Sequence, residues 1–222
     1  MRMIAKGAEG EIFELKGKGR PEILKRRVVK RYRIPSLDKK IRESRTKREA
    51  KVLFAAKMAG IKCPLIYDVK MGETEILMEK IEGIRLRECL IDNGNGKEKP
   101  GKIGKNRVMG IRPKPAKILA KAGAALAKLH NAGIIHGDFS TANVMVMENG
   151  EIAIIDFGLA EFSSSVEDKA TDVLVFKKST NGGEFREFWK GYLRESKNPK
   201  ETMRQLMEIE TRGRYVARAQ AG

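Results

Sequence analysis

The sequence predicts an α+β fold in which a small strand-bearing part precedes a helical one. Two observations carry this expectation. Short alternating or apolar runs recur as far as Met78, and from Ala116 onward apolar residues return at helical spacing. Hydrophobic residues make up 41% of the 222, enough for a substantial core.

The elements follow in chain order. Residues 1–15 read as two short strands around the turn Gly7-Ala8-Glu9-Gly10, with Ile12 and Glu14 alternating against Phe13 and Leu15. Ile23-Leu24-Lys25 is a third strand. Pro35 to Asp38 reads as a turn and helix start capped by Ser36 or Asp38. A helix is expected from Asp38 to Ala59, burying Ile41, Ala50, Leu53, Phe54 and Met58 and ending at Gly60. Strands Leu65–Val69 and Glu75–Met78 follow. Residues 92–115 carry almost no apolar side chain at their start and read as a flexible basic loop. Ala116–Ala132 is a strong helix pattern, and Ile152–Ile155 an apolar strand. Helices are then expected near Glu167–Lys178, Gly183–Glu195 and Pro199–Thr211. A basic tail, residues 212–222, is expected to trail from the domain.

Two short segments carry the chemistry. His136-Gly137-Asp138-Phe139-Ser140-Thr141-Ala142-Asn143 puts a carboxylate and an amide on one loop, and Asp156-Phe157-Gly158 places a second carboxylate at a strand end. Phosphoryl transfer from ATP needs a carboxylate to orient the attacking hydroxyl and accept its proton, and hard oxygen ligands for Mg2+. Asp138 suits the first role, Asn143 and Asp156 the second. Their order and spacing are those of the kinase catalytic loop and metal-binding turn. No arginine precedes Asp138, and only a few residues separate Gly158 from Glu167. A phosphorylation-controlled activation segment is therefore not expected.

The first part supplies the remaining parts of a nucleotide cleft. Gly7 and Gly10 let the first turn approach phosphates closely. A lysine should bridge the α- and β-phosphates, held by a helix glutamate. Lys25 after Ile23-Leu24 and Lys30 after Val28-Val29 compete for that role, with Glu49 as the partner. Met78 would shape the adenine pocket, and the backbone of Glu79 and Ile81 would meet the adenine edge.

Composition limits the alternatives. No stretch is apolar for long enough to span a bilayer, and Met1-Arg2-Met3-Ile4-Ala5-Lys6 has no signal core. Cys63 and Cys89 are too few for a disulfide framework or metal site, so a reducing cytoplasm is expected. Net charge is +17, and thirteen basic residues crowd Arg20 to Arg48. Such an excess favours a polyanionic partner, with solubility as the competing explanation.

Longer stretches add a resemblance. Lys6-Gly7-Ala8-Glu9, Lys25-Arg26-Arg27, Lys30-Arg31-Tyr32-Arg33, Leu37-Asp38, Glu49-Ala50 and Met78-Glu79 with Ile81-Glu82-Gly83 resemble the small atypical kinase subunit of the KEOPS complex. So do the His136 and Asp156 motifs, Glu167-Asp168-Lys169 with Asp172, and Arg212-Gly213-Arg214. The resemblance implies a minimal bilobal kinase-like fold, with an N-lobe over 1–83 and a reduced C-lobe over 84–222. It selects Lys25 over Lys30, and places the nucleotide against Lys6, Gly7, Ala8, Glu9, Gly10, Lys25, Met78, Glu79 and Ile81. It implies serine/threonine kinase and ATPase activity in support of threonylcarbamoyladenosine formation on tRNA. The implied partners are a threonylcarbamoyl-transferase subunit, a small subunit on the N-lobe, and tRNA.

Three other readings compete. A RIO-type kinase would lack the Phe-Gly that follows Asp156 here, and a small-molecule phosphotransferase would carry a larger helical insertion. A nucleotide-dependent scaffold or RNA-binding subunit fits the charge, but not the retention of Lys25, Glu49, Asp138, Asn143 and Asp156.

Overall fold

In the computed structural model, residues 1–7, 10–16, 19–91 and 114–219 are described. The first strands, β1 (Arg2–Lys6), β2 (Glu11–Lys16) and β3 (Pro21–Arg26), form an antiparallel meander, joined by β4 (Ile66–Lys70) and β5 (Glu75–Glu79) in the order β1-β2-β3-β5-β4. β3 lies at the centre, with Lys25 opposite Ile12 on one side and Ile76 on the other.

Helix α1 (Pro35–Met58) covers this sheet with Val52, Leu53 and Ala56, which recur at helical spacing and meet Ile76 and Met78 in the core. The helix begins earlier than expected. Its N-cap is Ile34, which gives no side-chain cap, and Pro35 opens the first turn, where a missing N–H costs nothing. Asp38 is buried inside that turn rather than capping it. The expected inner face also needs correction, because Phe54 and Met58 are exposed while Asp38, Thr46 and Glu49 point inward. The polar stripe is tolerated because each buried group has a partner: Asp38 binds Arg42, the Thr46 hydroxyl donates to the Arg42 carbonyl, and Glu49 binds Lys25 and Arg27. Gly60, with φ +76°, closes the helix as expected.

After β5 come a two-residue strand β6 (Ile84–Arg85) and a short helix α2 (Leu86–Ile91) that sequence periodicity does not reveal. Of the segment expected as a flexible loop, residues 92–113 lie outside the described residues, and Pro115 already belongs to α3 (Pro115–Asn131). β7 (Ile134–Ile135), β8 (Val144–Val146), β9 (Ile152–Ile154) and β10 (Glu161–Phe162) are short and pair as β6-β8-β9 and β7-β10. Helices α4 (Val166–Lys178), α5 (Gly182–Glu195) and α6 (Pro199–Ala219) complete the chain.

The helical core is built on a close crossing of α3 and α5. A Cβ on Gly123 would lie 1.9 Å from the Phe188 carbonyl, and one on Gly191 would lie 1.8 Å from that of Ala120. Backbone meets backbone there, which brings Phe188 and Tyr192 under the loop containing Phe139. Phe176 and Phe188 stack at 3.9 Å, and Phe139 packs on both. The segment from Arg212, expected as a tail, is helical as far as Ala219. It continues α6, which is already anchored by buried Leu206, by Thr202 beside Tyr192 of α5, and by the Lys177–Glu210 ion pair to α4 at 2.6 Å. Extending a formed helix is far easier than starting one.

Among the described residues, no helix is long and apolar enough to cross a membrane.

Candidate active site

The sheet and the helical core each bring one half of a charged cluster. From the sheet, the buried Lys25 ammonium donates to Glu49 Oε1 at 2.6 Å. From the helical half, Asp156 Oδ1 accepts from the same ammonium at 2.7 Å. Burial alone would push Lys25 toward its neutral form, but the charges of Glu49 and Asp156 outweigh it and its pKa is raised. For Asp156, burial acts upward; the Lys25 charge and hydrogen bond, with the Gly158 N–H at 3.3 Å, win and lower it.

Asp156 sits two residues beyond β9 in a left-handed conformation, φ +62°, unusual for a residue with a side chain. The backbone around it explains how that turn is held. Ile155 N–H donates to the Asn143 carbonyl at 2.9 Å, and the next residues are pinned by buried Phe157. Gly158 packs so closely that a Cβ there would lie 3.0 Å from the Lys25 ammonium nitrogen.

Asp138 is exposed, on a loop that starts at buried His136. The Asn143 amide donates to the Asp138 carbonyl at 2.8 Å and to its carboxylate Oδ2 at 2.9 Å, fixing the carboxylate's direction. His136 anchors the loop: its Nε2–H donates to the Ile155 carbonyl at 3.1 Å, and Nδ1 accepts the Asp138 N–H at 3.3 Å. That pattern fits the neutral ring, and burial lowers the His136 pKa despite the carboxylates nearby. Asp156 and the Asn143 side-chain carbonyl are hard oxygen donors, a chemistry that suits a divalent cation.

Other expected residues are placed as follows. Lys6 is exposed and lies 3.3 Å from Glu11 Oε1, and Gly7 N–H donates to the Gly10 carbonyl at 2.9 Å. Ala8 and Glu9 lie outside the described residues. Gly10 leaves room for backbone only, since a Cβ would meet the Arg26 carbonyl at 2.4 Å. Met78 is buried on β5; Glu79 gives its N–H to the Leu65 carbonyl at 2.8 Å, and Ile81 follows two residues later, half-buried. Lys30 stands beyond the end of β3, its backbone N–H 3.3 Å from Asp38.

Two residues of this cluster take no role on sequence grounds. Arg27, 4% exposed, donates to Glu49 Oε2 at 2.6 Å and approaches the Gly158 carbonyl at 3.5 Å. Asp172 on α4 receives the N–H groups of His136 at 2.6 Å and Gly137 at 2.8 Å, and His130 Nε2 at 3.3 Å. The period-two spacing of Lys25 and Arg27 is the one local hint for the former. Asp172 has no local signal, because its partners lie over thirty residues away.

Comparison with known proteins gives the family. Residues 1–180 match the protein kinase domain family. A probable bifunctional tRNA threonylcarbamoyladenosine biosynthesis protein of Methanobrevibacter smithii is 39% identical over 96% of this chain, which spans 37% of that relative's length. The KEOPS complex subunit Bud32 of Pyrococcus abyssi is 33% identical over 99% of this chain and 98% of its own. A probable serine/threonine-protein kinase BUD32 homolog of Archaeoglobus fulgidus is 35% identical over 97% of both. The chain belongs to the protein kinase family and, within it, to the Bud32 group of small kinases.

Proposed function

We propose that this chain is an ATP-dependent serine/threonine protein kinase and ATPase that works as a KEOPS complex subunit and supports threonylcarbamoyladenosine modification of tRNA. The observation that carries the catalytic reading is the Lys25 ammonium, bonded at once to Glu49 at 2.6 Å and Asp156 at 2.7 Å. Lys25 would move onto the α- and β-phosphates, with Glu49 holding it from α1. The turn from Lys6 to Gly10 would cover the phosphates, and Met78, Glu79 and Ile81 would frame the adenine. This assigns the nucleotide-gripping lobe to residues 1–83 and the catalytic lobe to 84–222.

Asp138 would orient the attacking hydroxyl or water and take its proton as the γ-phosphoryl group passes to that oxygen and ADP leaves. Asn143 keeps the carboxylate aimed while its own carbonyl oxygen, with Asp156, would hold Mg2+. When bound, that ion neutralises charge developing on the phosphate oxygens. The names of the relatives support the complex and the tRNA pathway. Within it, a threonylcarbamoyl-transferase subunit, a small subunit on the first lobe, and tRNA are the partners that we assign, in the cytoplasm.

Nucleotide binding and turnover separate the roles. Asp138→Ala should lower ATP hydrolysis and autophosphorylation by about 10²- to 10⁴-fold while leaving ATP affinity intact. Asp156→Ala should also weaken metal-dependent nucleotide binding. Full turnover by Asp138→Ala would overturn the assignment of the base.

A further inference from the structure

Strand β3 leaves its sheet at Arg26, which lies opposite Glu75 of β5, so the next residues across from each other are Arg27 and Thr74. Thr74 is 1% exposed and has φ +54°, a left-handed conformation that a β-branched residue seldom takes. Two residues facing each other in a hydrogen-bonded antiparallel pair exchange both N–H···O bonds. Arg27 N–H does donate to the Thr74 carbonyl, at 3.1 Å, but the Thr74 N–H turns away to the Met71 carbonyl at 3.2 Å. The Thr74 hydroxyl takes the place of that N–H, donating to the Arg27 carbonyl at 3.1 Å. Backbone strain of this kind persists only where the surroundings hold it, and it collects at functional sites.

The direction of the hydroxyl is fixed as well. Arg42, held by buried Asp38 at 2.7 Å, donates to the Thr74 oxygen at 3.0 Å. A guanidinium only donates, so the single hydroxyl proton is left for the Arg27 carbonyl. Both backbone polar groups of Arg27 are thus tied to one residue. Its side chain, among other contacts, donates to Glu49 Oε2 at 2.6 Å, and Glu49 Oε1 accepts from Lys25 at 2.6 Å. A continuous run of bonds therefore leads from the turn between β4 and β5 to the Lys25 ammonium.

We propose that Thr74 is a positioning residue for phosphoryl transfer: it seats Arg27, which aims the Glu49 carboxylate that holds Lys25. This rests on the reading of Lys25 and Glu49 as the pair that grips the phosphates.

The test uses the full chain carrying Thr74→Val, which keeps the branched shape and loses the hydroxyl, or Thr74→Ser, which keeps the hydroxyl. ATP turnover is measured below the melting transition, with Asp138→Ala as the control. The Lys25 ammonium signal is followed by NMR in protein with isotope-labelled lysine, assigned by its absence from Lys25→Ala. In Thr74→Val, kcat should fall by about ten- to a hundredfold, as a small misplacement of a catalytic group does, with little change in the KM for ATP. The Lys25 signal should be displaced in the same variant, and Thr74→Ser should stay close to wild type in both measurements. Should Thr74→Val lose its melting transition, Thr74→Gly, which relieves the left-handed backbone and also lacks the hydroxyl, takes its place with the same expectation. Wild-type kcat without the hydroxyl, a lowered kcat with the Lys25 signal unmoved, or an equal loss in Thr74→Ser overturns the proposal. If Asp138→Ala turns over like wild type, the kinase reading itself fails. The Lys25 signal then decides: displacement without the hydroxyl keeps Thr74 as the residue that seats the lysine, and an unmoved signal overturns it.

Discussion

Arg27 donates to Glu49 Oε2 at 2.6 Å, the carboxylate oxygen that Lys25 leaves when it takes Oε1 at the same distance. One helix carboxylate thus bridges two buried cations from the same strand and its continuation, and Lys25 reaches Asp156 as well. Removing its charge should be costly, since Arg27 would lose a charged partner at 2.6 Å in the interior and Lys25 would keep Asp156 but lose Glu49. Glu49→Gln is expected to lower stability by about 3–5 kcal/mol in urea denaturation. A loss below about 1 kcal/mol would mean that the pairing adds nothing net.

The same cluster distinguishes the two lysines. Lys25→Ala should reduce ATP turnover by about 10²- to 10³-fold, as expected when a positioned charge is removed from the transferring group. Lys30→Ala should leave turnover near wild type, because Lys30 lies beyond the strand end at Asp38. Steady-state kinetics decide between them, and the reverse pattern would move the phosphate lysine to Lys30.

Backbone contact between α3 and α5 makes a second stability prediction. Gly191→Ala would push a Cβ to 1.8 Å from the Ala120 carbonyl, a rigid neighbour, and is expected to cost about 1–3 kcal/mol or more. Gly182→Ala, with nothing within 4 Å of its added carbon, should be neutral or gain up to about 1 kcal/mol. Equal melting temperatures for the two variants would contradict the close crossing.

Acid should destabilise the protein in two separate windows. The pKa values of His130 and His136 are lowered from 6.5, chiefly by burial, so the unfolded chain binds more protons than the folded one as pH falls below that value. Their contribution is complete above about 6.5 and is lost toward the lower folded values, by up to about 1.4 kcal/mol per pH unit for each ring. Asp172, which faces both rings, moderates but does not reverse the direction. Asp156, lowered from 3.8, adds its loss only in stronger acid. A urea midpoint constant from pH 7.5 to pH 5 would show that the histidines are not held neutral.

The charge of +17 and the arginines of the last helix lead to an RNA prediction. Arg212 lies on α6, 3.1 Å from Glu167 and largely exposed, so a polyanion could compete for it. Replacing Arg212, Arg214 and Arg218 by Gln should weaken tRNA binding most at low salt. The slope of log affinity against log salt should fall by ~0.7 to 0.9 for each phosphate no longer neutralised. ATP affinity should not change. Unaltered slopes would leave this end of the helix to another partner.

Much of the architecture is legible locally. The meander at the start, the helix after Pro115 and the two acidic motifs follow from alternation, helical period and fixed spacing, all of which act between near neighbours in the chain. The two-residue strands β6, β7 and β10 are not legible, because so short a run has no period and exists only through its pairing partner. The inner face of α1 escapes local reading for a related reason. Hydrophobicity favours burying Phe54 and Met58, whereas folding buries Asp38, Thr46 and Glu49, whose charges or hydroxyls are satisfied by Arg42, Lys25 and Arg27. Residue order alone settles which chemical groups are available: the lysine, the glutamate, the two aspartates and the asparagine. Three-dimensional packing was needed to bring Lys25 to a carboxylate 131 positions away, to make Arg27 share Glu49, and to set Asp172 against the loop beside His136. Ion pairs and hydrogen bonds between distant segments depend on distance in space, which spacing along the chain does not encode.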